Sequence, residues 1–199
     1  MIWSQVACRY METFRHARAG HRHNAAASYA VKPLDRRPAE LPPLKLDHLR
    51  RMTDDTGILQ HAIFTVPNYR EGYTIDDNAR ALVVSVHLEE LGHTGASELA
   101  SRYLAFIAYA FNSEIGRFRN FMDYGRNWLE DSGSDDSHGR TLWALGTVLG
   151  RSTKTSQQHI AGWLFEQALP SILGTSSPRA WAFAILGIHE YLRRFDGDR

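Results

Sequence analysis

The feature that most constrains the fold is a repeated pattern of apolar segments, each of which begins beside an arginine. The three arginines are Arg80, Arg140 and Arg179, which lie 60 and 39 positions apart. Each is followed by a segment that is apolar on most sides, such as Ala-Leu-Val-Val after Arg80. A helix without a polar face belongs in a protein core. The repeat therefore predicts three buried helices in comparable positions.

Amphipathic segments lie between the apolar ones. One runs from about Ala96 to Phe111 after a tight connection at Gly92–Gly95, and it forms an αα-hairpin with the preceding helix. A second runs from Ile160 to Leu173 and carries its apolar residues at helical spacing. This alternation predicts an all-α fold, in which buried inner helices and half-buried outer helices form an α/α toroid. The inner N-terminal ends then share one face.

The predicted toroid is incomplete. Residues 44–199 provide six or seven helical segments, fewer than a toroid of six hairpins requires, since each hairpin has two helices. We therefore expect either a partial toroid or a complete but smaller helical domain. An isolated N-terminal helix at 1–19 and a proline-rich linker at 20–43 precede it.

Composition and charge restrict the class of protein. Hydrophobic residues make up 43% of the chain, which is typical of a globular protein. The only cysteine is Cys8, so no internal disulfide can form, and no apolar run is long enough to span a bilayer. We therefore predict a cytoplasmic protein without a membrane span. Because His21 and His23 are isolated from other ligands, we predict neither a metal site nor a cofactor.

The two ends of the chain differ in charge. Residues 1–50 contain nine Lys/Arg and four Asp/Glu, whereas residues 51–199 contain 14 Lys/Arg and 18 Asp/Glu. A basic segment of this kind contacts nucleic acid or anionic lipid in some proteins and is a solvated linker in others. Basic residues do not interleave with aromatic residues on one helix face, so we do not predict nucleic-acid binding.

Several motifs resemble a known architecture. The segment from Leu44 onward resembles the α/α-toroid region, of the six-hairpin glycosidase-like type, at the C-terminus of some bacterial glycosyltransferases. The similar motifs cover about three quarters of the chain and lie at Leu46–Leu49, Met52–His61, Gly72–Ala81 and Gly139–Gly146. The N-terminal helix, from Trp3 to Phe14, is similar to the final helix of GT-B glycosyltransferases.

The resemblance implies a carbohydrate ligand and a glycosyltransferase domain as partner. In GT-B enzymes the final helix packs back on the nucleotide-sugar domain, which would explain the isolated helix at 1–19. The sequence has no glycine-rich phosphate loop after a strand. These residues therefore cannot carry sugar transfer by themselves.

Glycoside cleavage needs two carboxyl groups across the scissile bond, one protonated and one ionised. Two of the buried helices begin with aspartate pairs, Asp76-Asp77 and Asp135-Asp136. A helix N-terminus is stabilised by a capping carboxylate. We therefore expect Asp76 and Asp135 to cap their helices, and Asp77 and Asp136 to face the cleft. Asp77, Asp136 and Asp55 are the candidate catalytic residues.

Other residues near the helix starts are candidates for substrate binding. A buried arginine is costly without a partner, so we expect Arg80 and Arg140 to pair with aspartates of their own or a neighbouring repeat. Both arginines are also candidates for substrate contact, together with Asp76. His61 and His138 could act as acid–base groups or serve as hydrogen-bonded structural residues.

Aromatic residues offer one further kind of contact. Tyr73, Tyr124 and Trp128 could stack on the apolar faces of sugar rings. Alternatively, they fill the interior of the toroid.

Three functional hypotheses remain open at this point. The first is a carbohydrate-active domain that binds or processes a glycan, and the second is a non-catalytic module that binds glycan or docks its partner enzyme. The third is an inactive gene fragment. If Asp77 and Asp136 face each other across an open cleft at about 5–10 Å, hydrolysis is geometrically possible. If both carboxylates are occupied by capping and arginine pairs, the enzyme hypothesis fails.

Overall fold

The computed structural model describes residues 3–23 and 43–197. They belong to two compact units, residues 1–44 and residues 45–199. In the first unit the described residues form helix α1 (Trp3–His23), which extends beyond the predicted end at residue 19. Most of the predicted linker at 20–43 lies outside the described residues.

The second unit is mostly helical over its described residues, as the periodicity predicted. The helix predicted from about Ala96 to Phe111 spans Ala96–Ala110, whereas the one predicted from Ile160 to Leu173 spans Thr155–Ala168 and so begins and ends five residues earlier than predicted. The helices are α2 (Asp47–Met52), α3 (Ile75–Glu90), α4 (Ala96–Ala110), α5 (Asp135–Arg151), α6 (Thr155–Ala168) and α7 (Pro178–Leu192). None of the helices in the described part of the chain is long and apolar enough to cross a lipid bilayer.

Short strands and 3₁₀ turns connect these helices, a feature that the sequence did not indicate. Each strand has two residues, and the strands pair antiparallel as β1 with β2, β3 with β6 and β4 with β5. The strands are β1 (Ala62–Ile63), β2 (Val66–Pro67), β3 (Tyr73–Thr74), β4 (Phe111–Asn112), β5 (Arg117–Phe118) and β6 (Phe121–Met122). The 3₁₀ turns span Tyr69–Glu71 and Leu169–Gly174.

Helix α5 is the centre of the second unit. It packs against α3 and against α7, while α4 packs on α3 and α6 packs on α5. At the C-terminal end of α5, Arg151 forms ion pairs with Glu90 at the end of α3 and with Glu190 near the end of α7. Because contacts near the N-terminal ends link the same helices, α3, α5 and α7 lie side by side and run in the same direction.

Small residues bring α5 and α7 into close contact. A Cβ atom added to Gly139 would lie 2.8 Å from the Cα atom of Ala180, and one added to Gly146 would lie 2.7 Å from the Cα atom of Gly187. Elsewhere the core contains fully buried branched aliphatic side chains, such as Leu82 on α3 and Leu142 on α5, together with buried aromatic rings, methionines and alanines. Buried apolar area is the main source of stability, at about 25 cal/mol per Å².

Candidate functional site

The helix caps differ from the prediction. Thr74 caps α3: its Oγ1 accepts a hydrogen bond from the Asp77 backbone N–H at 3.2 Å and donates one to Asp77 Oδ2 at 2.7 Å. Ser134 caps α5. The prediction that Asp76 and Asp135 are the caps is therefore wrong. Helix α3 begins two residues earlier, and α5 one residue earlier, than each would with the predicted aspartate cap. A hydroxyl residue with extended backbone takes the capping position in both.

Asp76 and Asp136 form a continuous row of ion pairs with three arginines across the N-terminal ends of α3, α5 and α7, whereas Asp135 pairs with Arg117 at 2.9 Å. Arg80 binds Asp76 at 2.7 Å, and Asp76 also binds Arg140 at 3.1 Å. Arg140 binds Asp136 at 3.2 Å, and Asp136 also binds Arg179 at 2.5 Å. We call these five residues the ion-pair ladder. The expectation that Arg80 and Arg140 pair with aspartates of their own or a neighbouring repeat is confirmed.

Arg140 is the buried member of the ladder. Its side chain is 8% exposed, and its guanidinium lies 4.5 Å from the centre of the Phe183 ring. Burial raises the pKa of Asp76 above its usual value, although the charges of Arg140 and Arg80 oppose that rise. Since a buried charge is tolerated when it is paired, we assign the ladder first to holding the three helices in register.

A cavity of about 400 Å³ lies beside the start of α3. Three residues that the sequence singled out, His61, Asp77 and Arg80, line it. Two further polar residues, His48 and Gln60, also line it and were not named as site residues. No local pattern marks them, because they reach the cavity through the packing of α2 and the 58–62 segment against α3.

The outer wall of this cavity is held in place by buried polar contacts. Asn78 on α3 is fully buried, and its Oδ1 accepts a hydrogen bond from the Ile58 backbone N–H at 3.0 Å. Its Nδ2 donates to the Thr74 carbonyl at 2.8 Å. The Gln60 backbone N–H donates to the Gly72 carbonyl at 2.9 Å. Satisfied buried polar groups restrict conformation, so the wall is a preformed part of the cavity.

Tyr73 does not line the cavity. It is 1% exposed, and its hydroxyl donates a hydrogen bond to Asp54 at 2.5 Å. Burial, followed by the bond to Asp54, raises the pKa of Tyr73 far above its usual value. The structure thus corrects the assignment of Tyr73 to sugar stacking, because its ring belongs to the core.

The other two predicted aromatic residues contact aromatic neighbours. Tyr124 stacks on Tyr69, with 4.6 Å between ring centres, and Trp128 packs edge-on against Phe106 at 5.6 Å. Tyr124 keeps 49% of its surface exposed. Neither residue lines the α3 cavity. The packing of Trp128 against the core agrees with the alternative interpretation, in which the aromatic residues fill the interior, whereas Tyr124 lies at the surface.

His138 is also buried. It is 0% exposed, and its Nε2 lies 2.7 Å from Ser171 Oγ, which in turn donates to the Ala168 carbonyl at 2.9 Å. This chain places the ring hydrogen on Nε2 and leaves Nδ1 buried without a partner. Burial, aided by the charge of Arg117, lowers the pKa of His138 to about 4. The structure therefore corrects its assignment to substrate binding and supports the structural alternative.

The three candidate catalytic aspartates have different environments. Asp77 accepts from Thr74 through Oδ2 and from Arg80 through Oδ1. Asp136 accepts from Arg140 through Oδ2 and from Arg179 through Oδ1, so each of its oxygens also has a partner. Asp55 has an 82% exposed side chain and pairs with Arg126 at 3.0 Å. Of the three, Asp77 lines the α3 cavity.

Comparisons with known proteins do not place the chain in a family. The sequence matches no protein-family model, and a search of curated proteins finds no match. Within residues 3–23 and 43–197, no group of three His, Cys, Asp or Glu side chains could hold a metal ion.

Proposed function

We propose that residues 44–199 are a part of an α/α toroid that binds a glycan in the α3 cavity without cleaving it. In this proposal the domain belongs to a glycosyltransferase-type polypeptide, as the motif resemblance suggests. The observation that carries the proposal is the cavity itself, where Asp77, Arg80 and His61 meet beside the start of α3.

The helix arrangement supports the toroid part of the proposal. Helices α3, α5 and α7 run in the same direction, and α4 and α6 each follow one of them and pack on it. An inner helix followed by an outer helix is the repeating unit of such a toroid. The ion-pair ladder joins the inner helices at the same level in each repeat, which is what a shared N-terminal face requires.

The chemistry of the cavity supports a carbohydrate ligand. A volume of about 400 Å³ lies within the range for small-molecule sites, about 300–1,000 Å³. Carboxylate, guanidinium, amide and imidazole groups can each bond to sugar hydroxyls. Met52, Leu59 and Val84 add an apolar surface, which suits the C–H face of a sugar ring.

The state of the carboxylates supports binding over cleavage. Hydrolysis needs one carboxyl that holds a proton and a second carboxylate that is free to act on water or on the sugar. Both oxygens of Asp77 and both oxygens of Asp136 are already bound within the protein. Because both carboxylates are occupied by capping and arginine contacts, glycan binding is better supported than hydrolysis.

A glycan array followed by calorimetry on the full chain tests the proposal. We expect a carbohydrate to bind the wild type and to bind Asp77→Asn and Arg80→Met at least about tenfold more weakly, since a hydrogen bond to a charged group is worth about 1.5–3 kcal/mol. Asp131→Asn is the matched control, because Asp131 is exposed and lines a different cavity. Its affinity should equal that of the wild type.

Two results would contradict the proposal. One is the absence of any carbohydrate ligand for the folded wild type. The other is release of reducing sugar by the wild type but not by a folded Asp77→Asn variant, which would instead establish hydrolysis.

A further inference from the structure

Helix α1 carries an apolar face along its length. At 3.6 residues per turn its apolar side chains fall within an arc of about 100°, wide enough to be a buried face. The face consists of Trp3, Val6, Ala7, Tyr10, Phe14 and Ala17. Trp3 is 84% exposed and Phe14 is 62% exposed. Three large aromatic rings on one side of a helix require a matching apolar environment.

Cationic residues flank this face. Arg18 follows Ala7 by eleven residues, close to three full turns, so it borders one edge of the face. Arg9 lies beyond the opposite edge, next to the turn that carries Val6. Between residues 3 and 20, α1 has three arginines and a single acidic residue, Glu12. The excess positive charge is thus concentrated beside the apolar surface, whereas residues 51–199 contain more acidic than basic residues.

We propose that α1 lies flat on an anionic lipid surface, with its aromatic face in the boundary between headgroups and acyl chains, and does not pack on a nucleotide-sugar domain as the resemblance implied. An apolar face with aromatic rings, a charged opposite face and low overall hydrophobicity are typical of interfacial helices. Arginines at the borders of the face can keep their charges among the headgroups while their stems cover apolar surface. The helix is too polar to cross the bilayer.

The charge pattern favours lipid over a second copy of α1. If two α1 helices packed face to face, their arginine-lined borders would meet in either orientation. Each copy would bring Arg9 and Arg18 to that contact, whereas Glu12 lies on the opposite side of the helix, and like charges at such spacing are destabilising. An anionic surface instead attracts the arginines on both borders.

Vesicle co-sedimentation of the full chain tests this proposal. The probes are phosphatidylcholine vesicles with and without about 30% phosphatidylglycerol, a content chosen to resemble an anionic leaflet. We expect the chain to bind the anionic vesicles, to bind the neutral vesicles at least about tenfold more weakly, and to lose affinity as salt rises.

Two variants of α1 locate the binding. Phe14→Gln should weaken binding at least about tenfold, because one aromatic side chain no longer enters the interface. The double variant Arg9→Gln/Arg18→Gln should weaken it by about 25-fold on anionic vesicles, at about fivefold for each arginine. Phe64→Gln is the matched control, since Phe64 is a 97% exposed phenylalanine outside α1. It should change binding less than about twofold.

Four outcomes would overturn the proposal. They are absence of binding to either vesicle, equal binding to both vesicles, an equal loss in Phe14→Gln and Phe64→Gln, and a wild-type dimer that Phe14→Gln converts to a monomer. The last result would identify a second copy as the occupant of the face. Glycan binding by Phe14→Gln should equal that of the wild type, so this test is independent of the α3 cavity.

Discussion

Replacing Gly146 by alanine tests the close contact between α5 and α7. The new Cβ atom would lie 2.7 Å from both the Cα atom and the carbonyl carbon of Gly187. Because those atoms are backbone, no side-chain rotation can relieve the contact, and the two helices must separate. Overpacking of this kind costs about 1–3 kcal/mol, and here we expect the upper end. The higher helix propensity of alanine returns about 1 kcal/mol.

The net expectation for Gly146→Ala is a loss of about 2 kcal/mol in the free energy of unfolding. Gly162→Ala is the matched control. Gly162 lies within α6, and its nearest neighbour would be Leu149 Cδ2 at 3.4 Å, an ordinary van der Waals distance. Only the propensity gain applies there, so this variant should be up to about 1 kcal/mol more stable than the wild type.

Urea unfolding followed by circular dichroism measures both variants on the full chain. The predicted difference between them is about 3 kcal/mol, which corresponds to roughly 6–12 °C in Tm for a domain of this size. If Gly146→Ala were as stable as Gly162→Ala, the close α5–α7 packing described here would be incorrect.

Two further predictions concern buried charge. The pKa of His138 is lowered to about 4, so the unfolded chain takes up the proton at a higher pH than the folded chain does. The free energy of unfolding is therefore unaffected by this group above about pH 6.5 and falls by up to about 3 kcal/mol as the pH drops towards 4. Urea unfolding at several pH values should show this slope in the wild type, and a His138→Gln variant with the same slope would contradict it. Arg140→Met should cost about 3 kcal/mol, since it removes the buried link between Asp76 and Asp136. Arg80→Met should cost less than about 1 kcal/mol, because the Arg80 side chain is 52% exposed; equal unfolding free energies for the two arginine variants would contradict the ladder.

The sequence predicted the helices best where apolar spacing is regular. The start of α6 was predicted at Ile160, whereas the helix begins at Thr155. Its first turns contain the buried Gln157 and Gln158. Ser152 Oγ donates a hydrogen bond to Gln157 Oε1 at 2.7 Å, and Gln158 Nε2 donates one to the Ser152 carbonyl at 2.5 Å. Buried polar residues of this kind interrupt the apolar pattern, so periodicity alone could not locate this helix start.

The candidate site was predictable only in part. Adjacent charges at the helix starts indicated that arginines and aspartates would pair, but not which ones. Arg140 and Asp76 are 64 positions apart in the sequence and meet only because α3 and α5 lie side by side. Likewise, Tyr73 and His138 are buried and therefore do not belong to the predicted site. The residue type alone does not specify whether a Tyr or His side chain is buried.

By itself, the sequence determined that residues 75–192 contain several helices and that arginines near the helix starts need acidic partners. Both properties follow from the order of side chains along a local segment. The prediction that the third apolar helix, α7, is buried is wrong, because Trp181, Ile185 and Leu186 on it are 46%, 64% and 43% exposed.

Thr74 and Ser134 cap their helices by accepting from residues three positions away, a local signal that the prediction missed. Only the tertiary structure decided that the aspartates join three helices through one ladder, and that a cavity opens beside Asp77 and Arg80. These features depend on distances between segments far apart in the chain, which local periodicity does not encode.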